Sequence, residues 1–227
     1  MTLKDPIKHD SLQKTVYGAI RAAILNGELA PGEQIFLGDL AKRLHVSTMP
    51  VREALRTLEA QGMISFSSQK KILVARLSAE DLEEFYWIRI PLECRSFVRN
   101  LAYLGNEEME ELHALHRMMS DENTSGPEWV RLNREFHMLL YGTKRSRVLK
   151  GALKWLWDNV TAYLNLYAQK AFLVQEANRA HEALLSAIEE KEMERAVEIL
   201  KTHLESGLEL KEILHTAWRG EGEEAVT

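Results

Sequence analysis

Three of the eight histidines in this chain fall on apolar stripes of helical period, which raises the question of what three inward imidazoles could do. In 127–142, Trp129, Asn133, Phe136, His137 and Leu140 share one face. In 174–190, His181 does so with Leu184, Leu185 and Ile188; in 192–217, His203 does so with Ala196, Leu200, Gly207 and Leu210. Burying an unpaired polar group costs about 1–3 kcal/mol, so these rings need hydrogen bonds, one another, or a metal. Asn133 and His137 lie four residues apart and point the same way, so they can serve as adjacent ligands while His181 and His203 arrive from two other helices. Three imidazoles and one oxygen suit a divalent metal, Zn²⁺ or Ni²⁺, and leave positions for water or an organic acid. A single inward histidine is more simply a hydrogen-bonded core residue; three with a matched amide favour the metal. The one cysteine, Cys94, excludes an intramolecular disulfide and a multi-cysteine zinc site. His113, His116 and His215 read as surface residues.

A second set of residues suits phosphate and base edges. Net charge is −5, yet residues 1–76 hold 11 Lys and Arg against 7 Asp and Glu, while the remainder holds 18 against 27. A basic segment on an acidic body fits a protein of which one end approaches nucleic acid. Leu12, Val16, Ile20 and Ile24 recur every four residues in a helix that stops at Asn26-Gly27, and Pro31-Gly32 marks a turn. A short helix spans Asp39–Leu44, and another opens at Ser47-Thr48-Met49-Pro50, where a hydroxyl can cap free N–H groups, and runs to Gly62. In it Val51, Leu55 and Leu58 form the inward stripe, with Met49, Arg52 and Arg56 within about 60° of one another on the opposite side. Met63–Phe66 and Ile72–Val74 can pair as a hairpin tipped by Ser67-Ser68-Gln69-Lys70-Lys71. Three helices and a basic-tipped hairpin make a winged helix-turn-helix, whose second helix can enter a major groove while the wing lysines meet the backbone. The alternative for Arg52 and Arg56 is an ordinary solvated surface.

The elements that position the histidines are helical throughout. Ser78 and Asp81 have the spacing of a capping box, and helices are expected over 78–104, 107–120, 127–142, 146–168, 174–190 and 192–217, with Pro91 kinking the first. The fold expected is mainly α: a winged helix-turn-helix over 1–76, an all-α antiparallel helical bundle over 77–218, and a frayed acidic tail over 219–227. No apolar run approaches the roughly 18 residues of a membrane span, and the N-terminus lacks the apolar stretch of a signal peptide, so a cytoplasmic protein with no membrane partner is expected.

The stretch GELAPGEQIFLGDLAKRLHVSTMPVREALRTLEAQGMI resembles the DNA-binding domain of the GntR superfamily, with its PG turn, DLA helix and VS-x-x-PVREAL recognition helix. The resemblance implies DNA contact by Arg43, Ser47, Thr48, Met49 and Arg52, and by the wing near Gln69, Lys70 and Lys71. Thr48 stands where the family often has arginine, and the wing lacks the usual glycine, so operator sequence does not transfer. RIPLE, NREFH, RAHEALLSAI and KTHLESG are similar to signature pieces of the FCD ligand-binding domain of the FadR subfamily. In metal-binding members an Asp and three His are ligands, which here become Asn133, His137, His181 and His203. An amide oxygen is a weaker donor than the carboxylate it replaces.

Arg89 lies four residues before Glu93, which makes a helix salt bridge one reading; the resemblance adds a second, a clamp for an effector carboxylate. Trp155, Trp157 and Tyr163 are candidates to line the same cavity, or else plain core. The function expected is a homodimeric transcription regulator, a repressor, that binds double-stranded palindromic operator DNA and responds to a small carboxylate at the metal. One alternative is the same regulator with a metal-free pocket for an acyl or sugar-acid ligand. Another is a zinc-dependent hydrolase or lyase, since three histidines with an open position also describe catalytic zinc.

Overall fold

A computed structural model describes residues 9–67 and 71–211 and divides the chain into two compact units, Met1–Arg76 and Leu77–Thr227. Ser68, Gln69 and Lys70 of the wing tip, His215 and the acidic tail lie outside the described residues.

In the first unit, α1 (His9–Leu25) packs on α3 (Thr48–Glu59) because Val16, Ile20 and Ile24 of one and Val51, Ala54, Leu55 and Leu58 of the other are buried together. Leu12, which continues the stripe of α1, is 44% exposed. Between them α2 (Leu37–Arg43) turns into α3 through His45, whose φ of 54° reverses the chain. The expected hairpin forms from β2 (Ile64–Phe66) and β3 (Ile72–Val74), but a strand that hydrophobic periodicity did not reveal, β1 (Gln34–Ile35), pairs with the free edge of β3. Two residues are too few to show an alternation. The Pro31-Gly32 turn supports that strand: Gly32 N–H donates to the Val74 carbonyl and Val74 N–H to that of Glu33, both at 2.9 Å.

The second unit is a bundle of α4 (Ala79–Leu101), α5 (Asn106–Met119), α6 (Gly126–Leu140), α7 (Arg147–Tyr167), α8 (Ala171–Glu189) and α9 (Met193–Ser206). The capping box at the start of α4 is present, Ser78 Oγ accepting from Asp81 N–H at 3.0 Å and Asp81 accepting from Ser78 N–H at 2.9 Å. α4 remains helical through Pro91. α4 packs against α7 and α9, α6 against α5 and α7, and α8 against α5 and α9, which brings α6, α8 and α9 around a common interior. His116, expected at the surface, is half-buried and contacts the Asn178 carbonyl at 3.0 Å; His113 meets Glu189 at 2.7 Å. Both tie α5 to α8. Asn178 also accepts from Trp129 Nε1–H at 2.9 Å and donates to the Met119 carbonyl at 3.1 Å.

The helix expected over 192–217 is interrupted: α9 ends at Ser206 and a 3₁₀ turn, Gly207–Glu209, follows. Gly207 is where Tyr86 of α4 approaches, so closely that a Cβ there would lie 2.2 Å from the tyrosine oxygen. The turn from α6 toward α7 depends on Gly142 in the same way. Its φ is 66°, and an added Cβ would sit 2.1 Å from Asn100 Oδ1, the amide whose nitrogen donates to the Leu139 and Leu140 carbonyls.

Gly142→Ala combines left-handed strain with that collision. It is expected to lower stability by about 2–4 kcal/mol, measured by urea denaturation, whereas Gly151→Ala, which meets nothing within 4 Å, should lower it little or raise it.

Candidate functional site

α6, α8 and α9 each deliver one imidazole to the same point. The Nε2 atoms of His137, His181 and His203 form a nearly equilateral triangle with sides of 3.3, 3.2 and 3.2 Å. His137 and His181 are buried and His203 half-buried. Nitrogens bound to one metal at about 2.1 Å are about 3.0–3.4 Å apart in octahedral or tetrahedral geometry, so the observed triangle has the spacing a metal requires.

The proton positions agree with that spacing. The Tyr141 hydroxyl donates to Glu93 in a short hydrogen bond, leaving its oxygen to accept from His137 Nδ1–H at 2.8 Å. The His137 Nε2 lone pair therefore faces the other two rings. Nδ1 of His181 and of His203 are buried without hydrogen-bond partners, as is Asn133 Oδ1. Among the described residues these groups cannot satisfy one another completely, and a shared cation would engage the facing lone pairs.

Burial holds all three imidazoles neutral. It pushes the His137 pKa well below the usual value, with His181, His203 and Arg89 adding to the effect; His181 is lowered likewise by burial, then by His203 and His116. Burial, with Arg89 next, brings His203 down to about 4. Neutral rings are the form that ligates a metal.

Asn133, His137, His203 and Arg89 line one cavity of about 30 Å³, room for a water or a single small group. Arg89 is buried on α4: Nε donates to Glu93 at 2.7 Å, Nη1 to the Tyr86 hydroxyl at 3.2 Å, and the guanidinium lies 4.4 Å from the Trp157 ring centroid. Burial works against its charge, but Glu93 more than compensates and the arginine pKa is raised. Its NH2 group has no hydrogen-bond partner among the described residues. Glu93 thus joins Arg89 to Tyr141 and, through it, to His137. The Arg89–Glu93 helix salt bridge read from the four-residue spacing is present. Tyr86 and Tyr141 were absent from the sequence-based set, although the signal existed: Tyr141 follows His137 by four residues, and Tyr86 precedes Arg89 by three.

Trp155 and Tyr163 are not brought to this cavity. Trp155 is 43% exposed and packs on Phe85 at 5.4 Å between ring centroids, while the buried Tyr163 hydroxyl accepts from Leu77 N–H at 2.5 Å. Two residues beyond Trp155 on the helix, Trp157 faces inward against Arg89 and His137.

In the first unit, Arg43, Ser47, Thr48, Met49, Arg52 and Arg56 are all exposed, with Lys71 exposed at the described edge of the wing. Met49 is 66% exposed, unusual for an apolar side chain on a helix with so complete an inner stripe. Ser47 occupies the cap position of α3, but its hydroxyl makes no capping hydrogen bond. Arg56 pairs loosely with Glu53 at 3.7 Å, and Arg52 has no ion pair among the described residues.

Residues 12–74 match the family model described as bacterial regulatory proteins, gntR family, and residues 84–206 match the FCD domain. The chain belongs to the GntR family. It is 30% identical over 205 residues to the HTH-type transcriptional regulator YdhC of Bacillus subtilis, an alignment that covers 87% of this chain and 90% of the relative. It is also 30% identical over 207 residues to the HTH-type transcriptional regulator BphR of Paraburkholderia xenovorans, with 87% and 84% covered. The solved structure of E. coli McbR/YncC has the same fold, with a TM-score of 0.77, 23% identity, and 92% and 99% of the two chains covered. This GntR protein is therefore a DNA-binding transcription regulator with an FCD domain, and the hydrolase or lyase reading of its histidines is set aside. No described helix is long and apolar enough to cross a membrane.

The lowered imidazole pKa values carry a stability consequence. Below about pH 6.5 the unfolded chain binds protons that the folded cluster refuses, so stability is lost as pH falls from about 6.5 toward 4. Thermal melts of chelator-treated protein should show the midpoint falling across that window, with a shallower slope in His203→Gln; a flat profile would contradict the buried neutral cluster.

Proposed function

We propose that this GntR regulator is a homodimeric repressor whose helical unit carries a divalent metal, Zn²⁺ or Ni²⁺, held by His137, His181, His203 and Asn133. The observation that carries this reading is the triangle of buried Nε2 atoms. The metal would supply a Lewis-acidic anchor for a carboxylate effector. Arg89, beside the same cavity with NH2 directed to no protein partner, would hold the effector carboxylate, and the Glu93–Tyr141 pair would keep His137 in its ligating tautomer. At about 30 Å³ the cavity accepts the head of an organic acid; a metal-free pocket for a whole sugar acid or acyl chain would need several-fold more space.

Operator contact is assigned to the exposed start of α3, with Met49, Arg52 and Arg56 toward the groove, Arg43, Ser47 and Thr48 at its edge, and Gln69, Lys70 and Lys71 on the flanking phosphates. Two copies would read a palindrome. Dimerisation is supported by apolar side chains left in solvent on α4 and α7, Trp87 at 78% and Val148 at 75% exposure. Regulation requires only that effector favour one spacing of the two DNA-binding units, a coupling of about 1–3 kcal/mol.

Elemental analysis of untagged protein should find close to one zinc or nickel per chain, lost in His181→Ala. Finding no metal in the wild type would overturn the metal reading and leave the regulator intact. With a duplex selected from a random pool, Arg52→Ala should weaken binding about 5- to 150-fold by fluorescence anisotropy, corresponding to about 1–3 kcal/mol for a base-reading arginine. Unchanged affinity would remove Arg52 from the contact set.

A further inference from the structure

Tyr141 also borders a second cavity of about 370 Å³, more than ten times the space beside the histidines and within the range of small-molecule sites. Its walls come from the end of α4, the Gly142 turn and the start of α7. They include Arg99, Arg145, Ser96, Ser146 and Tyr103, and no Asp or Glu. Arg99 has no ion pair or hydrogen bond from its side chain among the described residues. Arg145 is steadied over the Tyr103 ring, 4.4 Å from its centroid. Its acidic neighbour, Glu108, reaches it only at 3.5 Å and is itself engaged by the Gly105 N–H at 3.1 Å. Two guanidinium groups therefore face a concave space with little local neutralisation. The N-terminus of α7 adds partial positive charge at the same wall. The Ser146 hydroxyl, which accepts from Leu149 N–H at 3.3 Å, keeps its proton to donate, whereas that of Ser96 is committed to the Leu92 carbonyl at 2.6 Å. Tyr103 offers an aromatic face for an organic body.

We propose that this cavity binds a small organic anion bearing carboxylate or phosphate groups, with Arg99 and Arg145 as its charged anchors, at a site separate from the histidine cluster. The shared wall has a physical consequence. An occupant would border Tyr141, whose hydroxyl orients His137, so the two sites would be linked through one residue.

Isothermal titration of the full-length protein as purified, in phosphate-free buffer, tests this with glutarate and with glucose 6-phosphate as probes. At least one is expected to bind with a dissociation constant below about 1 mM. Arg99→Ala combined with Arg145→Ala should weaken that binding at least about ten-fold while metal content and melting midpoint stay unchanged. Binding of glutarate alone would identify a carboxylate site, and of glucose 6-phosphate alone a phosphate site. No heat from either probe at about 10 mM, or equal affinity in the double variant, overturns the proposal. Binding that survives the double variant but is lost in His181→Ala would place the ligand at the histidines instead.

Discussion

Three imidazoles converge within hydrogen-bond distance of one another inside a helical bundle, and much of the second unit is arranged around keeping them neutral and oriented. A charged ring there would face two like neighbours in a poorly solvated interior, with Arg89 nearby. The bundle meets this constraint by drawing one ring from each of α6, α8 and α9, so no single helix carries the whole polar load, and by surrounding the rings with Phe136 and Trp157. Orientation comes from α4. Through Glu93 and Tyr141 that helix fixes one ring's tautomer, and through Arg89 it sets a guanidinium group on the wall of the adjoining cavity.

Gly207 and Gly142 serve the same arrangement at its two ends. The first lets Tyr86 lie close against the end of α9, which keeps α4 beside the helix that carries His203. The second lets the chain turn sharply after α6 while Asn100 closes the exposed carbonyls of that helix. Each glycine permits a close approach that a Cβ would block.

Much of this was legible in the sequence because helical periodicity reports which side faces in. His137, His181 and His203 stood on apolar stripes, Asn133 lay one turn from His137, and the inner stripe of α3 left Met49, Arg52 and Arg56 outside; all these placements are present in the structure. Features that depend on meetings between distant elements were not legible. Trp155 and Trp157 both belong to an apolar helix, and only the packing of α4 on α7 decides that Trp157 meets Arg89 while Trp155 stays at the surface. β1 pairs on the edge that β3 offers, and α9 gives way to a 3₁₀ turn at Gly207, where Tyr86 approaches. Tyr141 could have been found by asking which side chain at four-residue spacing would support His137, as Glu93 supports Arg89, rather than which could bind a ligand directly.

α3 begins with a serine in the capping position whose hydroxyl is turned to no backbone donor. Most helices recover about 1 kcal/mol from such a contact, so this one is left incomplete in the free protein. The residues around its first amide hydrogens, Ser47, Thr48 and Met49, are exposed, so a phosphate oxygen could accept from those hydrogens as a cap does. Under the proposed docking, the nucleic acid would finish the helix that reads it, and a small part of the domain's folding energy would be realised only when DNA is bound.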